Sequence, residues 1–206
     1  MIEPPAPVPQ WRTLADRLRV TSMKHLYIIT GGPGSGKTSL VAALAVEGLR
    51  CVPEAGRAII QDQVRKAGRA LPWDDQEAFA AMMLTRDMLA YGEVAQLSGP
   101  VIFDRGIPDI IGYLRLCSIS VPSSMMETAE RYRYAGRVFI APPWPAIFDQ
   151  DAERKQTLEE AEATYQAMVE VYSDLEYELV PLPLVSIADR VKFVLDEILQ
   201  SGSSDP

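Results

Sequence analysis

Ten residues, TGGPGSGKTS from Thr30 to Ser39, constrain this chain more than any other stretch. Gly31, Gly36, Lys37 and Thr38 complete G-x-x-x-x-G-K-[ST], the pattern of a phosphate-binding P-loop. The glycines let successive backbone N–H groups curl round a phosphate, through dihedrals that a Cβ opposes. On this reading Gly31, Gly32, Pro33, Gly34, Ser35, Gly36, Lys37, Thr38 and Ser39 form a nucleotide-binding loop. Lys37 offers a point charge to the β- and γ-phosphates, and the Thr38 hydroxyl suits Mg2+. A helix opening near Lys37 adds its positive end. Such a pattern can also be a plain glycine-rich turn, and context decides. His25–Thr30 (HLYIIT) reads as a buried strand, and Ser39–Leu49 as a helix with Leu40, Val41 and Leu44 inward. Strand, loop and helix stand in the required order, so ATP or GTP with Mg2+ is the expected ligand. Lys37 is expected to meet solvent when no nucleotide is bound.

Strand and helix signals then alternate along the chain. Arg50–Pro53, Pro100–Asp104, Arg137–Ala141 and Tyr177–Leu182 read as the second to fifth strands. A long helix is expected within Trp73–Leu97, opened by Pro72 and Asp74. Ser124 with Glu127, Thr157 with Glu160, and Ser186 with Asp189 are three helix-start signals. After Thr157, Ala161, Tyr165, Met168 and Tyr172 share a face; in the last helix Ile187, Val191, Val194, Leu195 and Ile198 do. Five strands alternating with helices predict an α/β fold whose parallel sheet is covered on both faces. Residues 1–22, proline-rich and then a short polar helix candidate, read as a peripheral extension, and 23–206 as one nucleotide-binding domain. Met23, directly before the first strand, is an alternative start.

Composition narrows the partners. The formal charge of −8 opposes a broad nucleic-acid footprint, which needs a basic face, yet arginines focused in one cleft can still bind phosphates. Cys51 and Cys117 lack metal-ligand spacing and fit a reducing compartment. No apolar run approaches membrane-spanning length, and MIEPPAPVPQ has no leader pattern. A cytoplasmic protein with no nucleic-acid or membrane partner is expected; its oligomeric state is not legible.

A P-loop needs a second carboxylate for Mg2+ at a neighbouring strand end, where sites lie in open α/β sheets. Asp104 fits this metal role, though an aspartate there could also cap the next helix. Arg105 beside it favours function. Glu54, at the end of the second strand, faces the same cleft as a candidate base, or is a first-turn helix glutamate paired with Arg57. Arg86 interrupts an apolar face made by Phe79, Met82, Met83 and Ala90, where a charge must pair or reach a cleft. Arg154 and Lys155, in the segment after the fourth strand, are placed to close over a transferring phosphate as a lid. Catalytic candidates are thus Lys37, Glu54, Asp104, Arg105 and Arg154, metal candidates Thr38 and Asp104, and acceptor-binding candidates Glu54, Arg57, Arg86 and Arg105. Motifs of signalling GTPases and ring ATPases are lacking, and Pro100 breaks a transporter-like Leu97-Ser98-Gly99.

Taken together, the P-loop, CVPEAGRAII, LPWDDQEAFAAMMLTRD, VIFDRGIPDIIGYLRL, RYRYAGRVFIAPPW, DAERKQ and DRVKFVL resemble the NadR-like AAA domain family. These are small P-loop proteins of the nucleoside and nucleotide kinase class. The resemblance runs from about Met23 to the last helix. It implies a three-layer P-loop NTPase fold with a five-stranded parallel sheet in the order 2-3-1-4-5. It also implies that Glu54 is the acid after the second strand, Asp104-Arg105 the acid–arginine pair and Arg154 the lid arginine. Glu176 departs from the family, which tends to carry glycine there. Two functions remain open: a Mg2+-dependent phosphotransferase acting on a small acceptor, or a nucleotide-binding regulator or slow NTPase without one. The Glu54, Arg57 and Arg86 group favours the former, since a binding module has no need of it.

Overall fold

The computed structural model describes residues 24–148 and 157–203. The expected extension 1–22 and the lid segment with Arg154 and Lys155 lie outside the described residues.

Strands β1 (Leu26–Gly31), β2 (Arg50–Val52), β3 (Val101–Asp104), β4 (Arg137–Ala141) and β5 (Glu178–Pro181) form one sheet in the order β2-β3-β1-β4-β5. All four pairings are parallel, the arrangement that the resemblance implied. The central strand shows why the fold needs two covering layers. Leu26 and Ile28 of β1 enter one core while Tyr27 and Ile29 enter the other, the two-residue period of an extended chain with neither face in water. The first core is closed by α3 (Gln76–Val94), α4 (Ile107–Leu116), α5 (Ser123–Arg131) and α7 (Leu158–Asp174). The second is closed by α1 (Lys37–Val46) and α8 (Ile187–Ser203), through Leu40, Val41 and Leu44 against Val191, Val194 and Ile198. Two further helices are α2 (Ala55–Lys66), which packs on α3, and the single turn α6 (Pro145–Phe148).

Several local expectations need correction. Helix α2 was signalled only by the reading of Glu54 as a first-turn glutamate, because its 12 residues carry just Gly56 and Ile59 as buried positions; Glu54 itself stands in the cap position before it. The long helix begins at Gln76, since the Asp75 carboxylate, not Asp74, accepts the Ala78 N–H at 2.9 Å. Asp74 pairs instead with Arg69. The Ser124–Glu127 box does not form: α5 starts two residues earlier, with Pro122 in the cap position. The other two starts behave as expected. Thr157 and Glu160 bond reciprocally, and the Ser186 hydroxyl accepts the Asp189 N–H. Glu176 adopts φ 59°, a left-handed conformation that glycine takes without strain. No helix among the described residues is long and apolar enough to cross a membrane.

Candidate active site

The carboxyl ends of β1, β3 and β2 lie side by side, and each delivers a chemical group. Strand β1 runs into the loop through Gly31, whose φ is 127° and whose missing Cβ would strike the Ala141 carbonyl oxygen of β4. No other residue fits there. Gly36, at φ 78°, turns the chain into α1 and offers no side-chain cap. The first-turn N–H groups of α1 are thereby left for an outside partner. Thr38 and Ser39 are exposed.

Lys37 does not meet solvent as expected. It is 7% exposed and curls back over its own loop, donating to the Gly32 carbonyl at 2.5 Å and the Ser35 hydroxyl at 3.2 Å. The loop's own carbonyl supplies an acceptor that water would otherwise provide. Burial, and then the charge of Arg105, lower its pKa to about 7; Asp104, Glu54 and Asp109 pull the other way. These five charges therefore share one neighbourhood.

Asp104 ends β3 level with Ile29 of β1, next to the loop's origin. Its Oδ1 is buried with no hydrogen-bond partner among the described residues. Burial raises its pKa against the opposing pull of Arg105 and Lys37. A free carboxylate oxygen and a hydroxyl at Thr38 are hard donors. They fit Mg2+, which takes one or two carboxylates and completes its shell with phosphate oxygens and water. Among the described residues no three His, Cys, Asp or Glu side chains gather to hold an ion unaided.

Arg105 is held in a conformation that side chains rarely adopt, φ 72°. Its Nε lies 3.4 Å from Glu54 Oε1 and its Nη1 3.0 Å from Asp109 Oδ1. Burial opposes its charge, but Glu54, Asp109 and Asp104 outweigh burial and hold its pKa above the ordinary arginine value. Asp109 was missed in the sequence. It accepts from Thr30 Oγ1 at 2.5 Å, Arg105, the Gly106 N–H at 2.9 Å and Tyr172 Oη at 2.6 Å. An acid in the first turn of the helix that follows Asp104-Arg105 was the available signal.

Glu54 precedes α2 without capping it and turns to Arg105 instead; Arg57 is exposed. Around Gly56 the Glu54 carboxylate, Phe79 ring and Met83 sulfur converge, each 3.4 Å from where a Cβ would stand. Arg86 is also exposed, so it does not project from a buried face. The inward residue is its neighbour Asp87, 8% exposed, in register with Ala80, Tyr91 and Val94. Asp87 has no hydrogen-bond partner among the described residues. Burial first, then the charges of Asp109 and Glu54, raise its pKa to about 8. The structure thus brings Lys37, Asp104, Arg105 and Glu54 together, adds Asp109 and Asp87, and leaves Arg57 and Arg86 at the surface.

A sequence profile described as AAA domain matches residues 26–190. No curated protein sequence matches the chain. Among solved structures, NadR in complex with NR aligns with a TM-score of 0.61 at 18% identity, covering 89% of this chain and 53% of NadR. This chain therefore spans about half the length of that protein. Deoxyadenosine kinase from M. mycoides aligns at 0.60 and 14% identity, covering 85% of this chain and 99% of the kinase. The YorR protein of Bacillus subtilis, in complex with phosphorylated GDP, aligns at 0.59 and 11%, covering 88% and 99%. At such identities these likenesses establish the fold, that of small P-loop kinases.

Proposed function

The chain belongs to this AAA domain family, and on that footing we propose that it is a Mg2+-dependent phosphotransferase. It would pass the terminal phosphoryl group of ATP or GTP to a small nucleoside, nucleotide or other hydroxyl-bearing metabolite. The observation that carries the reading is the convergence of Lys37, Asp104, Arg105 and Glu54 beside the phosphate loop. A module that only binds nucleotide has no need of Glu54 and Arg105 next to the γ-phosphate position. The solved relatives named for NR, deoxyadenosine kinase activity and phosphorylated GDP support a nucleotide-like donor or acceptor.

The triphosphate lies on Gly31–Ser39, where Lys37 exchanges its bond to the Gly32 carbonyl for phosphate oxygens. Thr38 and Asp104 would hold Mg2+, which when bound would neutralise phosphate charge. The acceptor hydroxyl stands beside Glu54. Its oxygen bonds to the terminal phosphorus as that atom's bond to the β-bridging oxygen breaks, the nucleoside diphosphate leaves, and the hydroxyl proton passes to Glu54. Arg105, fixed by Glu54 and Asp109 before the reaction, meets the charge on the transferring group without reorganising. Asp87, Phe79 and Met83 line the acceptor side, and Asp87 offers a neutral carboxyl near pH 7. Arg154 acts as a lid arginine, and Arg57 and Arg86 contribute at most at the rim.

A thermal-shift titration tests the donor seat. A ligand at about 100 times its Kd adds roughly 2.7 kcal/mol, or about 5–10 °C for a chain of this size. ATP–Mg2+ or GTP–Mg2+ should produce that shift in the parent and a much smaller one in Lys37→Ala. Equal shifts in both would remove the loop from the account.

A further inference from the structure

One arginine near the phosphate loop has no role in this scheme. Arg190, in the first turn of α8, is completely buried. Its Nη1 donates to the Ser35 carbonyl at 2.9 Å and would lie 2.9 Å from a Cβ at Gly36, so it abuts the loop's outer wall. The Trp144 ring stands 5.4 Å from the guanidinium carbon. Its Nε and Nη2 are buried with no hydrogen-bond partner, and no ion pair joins it to a carboxylate among the described residues. Burial lowers its pKa. A buried cation without a counter-charge is costly, and such groups are normally paired.

Resting on the nucleotide reading above, we infer that Arg190 is a positioning residue for the donor's phosphate tail. In a trans peptide the C=O and N–H point in opposite directions, and no peptide bond among the described residues is cis. Tying the Ser35 carbonyl outward to Arg190 therefore turns the Gly36 N–H inward, toward the side where Lys37 and the open N–H groups of α1 face. That Gly36 N–H has no partner among the described residues. Electrostatics act in the same direction. The unbalanced positive charge sits against the loop wall, and a bound polyphosphate is the counter-charge within reach. Arg190 thus costs stability when the loop holds no anion and returns it when one binds. The recognised chemistry is the phosphate tail rather than the base.

The experiment compares the parent with Arg190→Lys, Arg190→Gln and Arg190→Met. Melting temperatures without ligand are measured alongside affinities for ATP–Mg2+, GTP–Mg2+ and inorganic tripolyphosphate–Mg2+. The neutral variants should melt no lower than the parent without ligand, since they remove an unpaired buried charge. They should bind all three probes about 10- to 100-fold more weakly, the loss expected for a hydrogen-bonded charge. Arg190→Lys keeps the charge but not the fork, and should fall between. A structural role alone would lower the ligand-free melting temperature in all three variants and leave affinity unchanged, which overturns the inference. Weakening confined to ATP or to GTP, with tripolyphosphate unaffected, also overturns it, because Arg190 and Trp144 would then be reading the base. If the parent itself binds none of the probes, the nucleotide reading fails first.

Discussion

Asparagine at position 87 should abolish a pH dependence that the parent carries. Asp87 is buried on α3, and burial together with the charges of Asp109 and Glu54 raises its pKa from 3.8 to about 8. Between those values the folded protein holds a proton that the unfolded chain releases. The contribution to stability is complete below the unfolded pKa and is lost as pH rises through the folded one. Each pH unit in that window is worth about 1.4 kcal/mol. Because titration is already half complete at the folded pKa, the Asp87 contribution should fall by roughly 2 kcal/mol between about pH 6 and about pH 8, equivalent to about 4–8 °C in melting temperature. Asp87→Asn mimics the protonated acid and does not titrate, so its advantage over the parent should grow by that amount. Lys37 works in the opposite direction. Its pKa falls from 10.5 to about 7, so stability rises with pH above the folded value. Lys37 is present in both proteins, and its contribution cancels in the difference. Urea midpoints for both proteins, taken in steps across this window, give the comparison. Parallel curves would refute the placement of Asp87 as a buried, unpartnered carboxyl.

Asp109→Asn should cost about 1.5–3 kcal/mol by weakening the charge-assisted bond to the part-buried Arg105, and should lower kcat more than nucleotide affinity; unfolding and steady-state kinetics check both parts. Asp104→Asn should weaken turnover and metal-dependent nucleotide binding together, whereas Glu54→Gln should leave nucleotide affinity nearly unchanged and cut transfer about 10²- to 10⁴-fold; calorimetric titration beside a coupled assay separates the two. A chain beginning at Met23 should still fold and bind nucleotide, because 1–22 supplies no phosphate-binding group, and an insoluble product would place Trp11–Leu18 in the core.

What was legible in the sequence followed from local rules. A glycine-rich loop between an apolar strand and a helix can be read residue by residue, and Asp104-Arg105 and Glu54 stand at strand ends where parallel sheets put their sites. Position 86 shows where such reading stops. Arg86 and Asp87 are adjacent on a helix, about 100° apart, and the apolar residues around them fit a stripe centred on either. Only the packing of α3 on the sheet decides that Asp87 turns inward. Asp109 and Arg190 were missed for a related reason. Their partners, Thr30 and Tyr172 for one and Ser35 for the other, lie 79, 63 and 155 residues away. No local spacing reports a contact between elements so far apart in the chain. Lys37 differed because its partner is the loop's own carbonyl, and a side chain bending back on its backbone leaves no trace in the motif.

The fate of the γ-phosphoryl group tests the central claim most directly. The parent would be incubated with ATP or GTP, Mg2+ and a panel of nucleosides, nucleotides and small alcohols, and followed by phosphorus NMR. The account predicts a new phosphate-ester resonance growing in step with nucleoside diphosphate, dependent on one class of acceptor and lost with Glu54→Gln. Inorganic phosphate as the sole product, formed at the same rate with and without every acceptor, would contradict it.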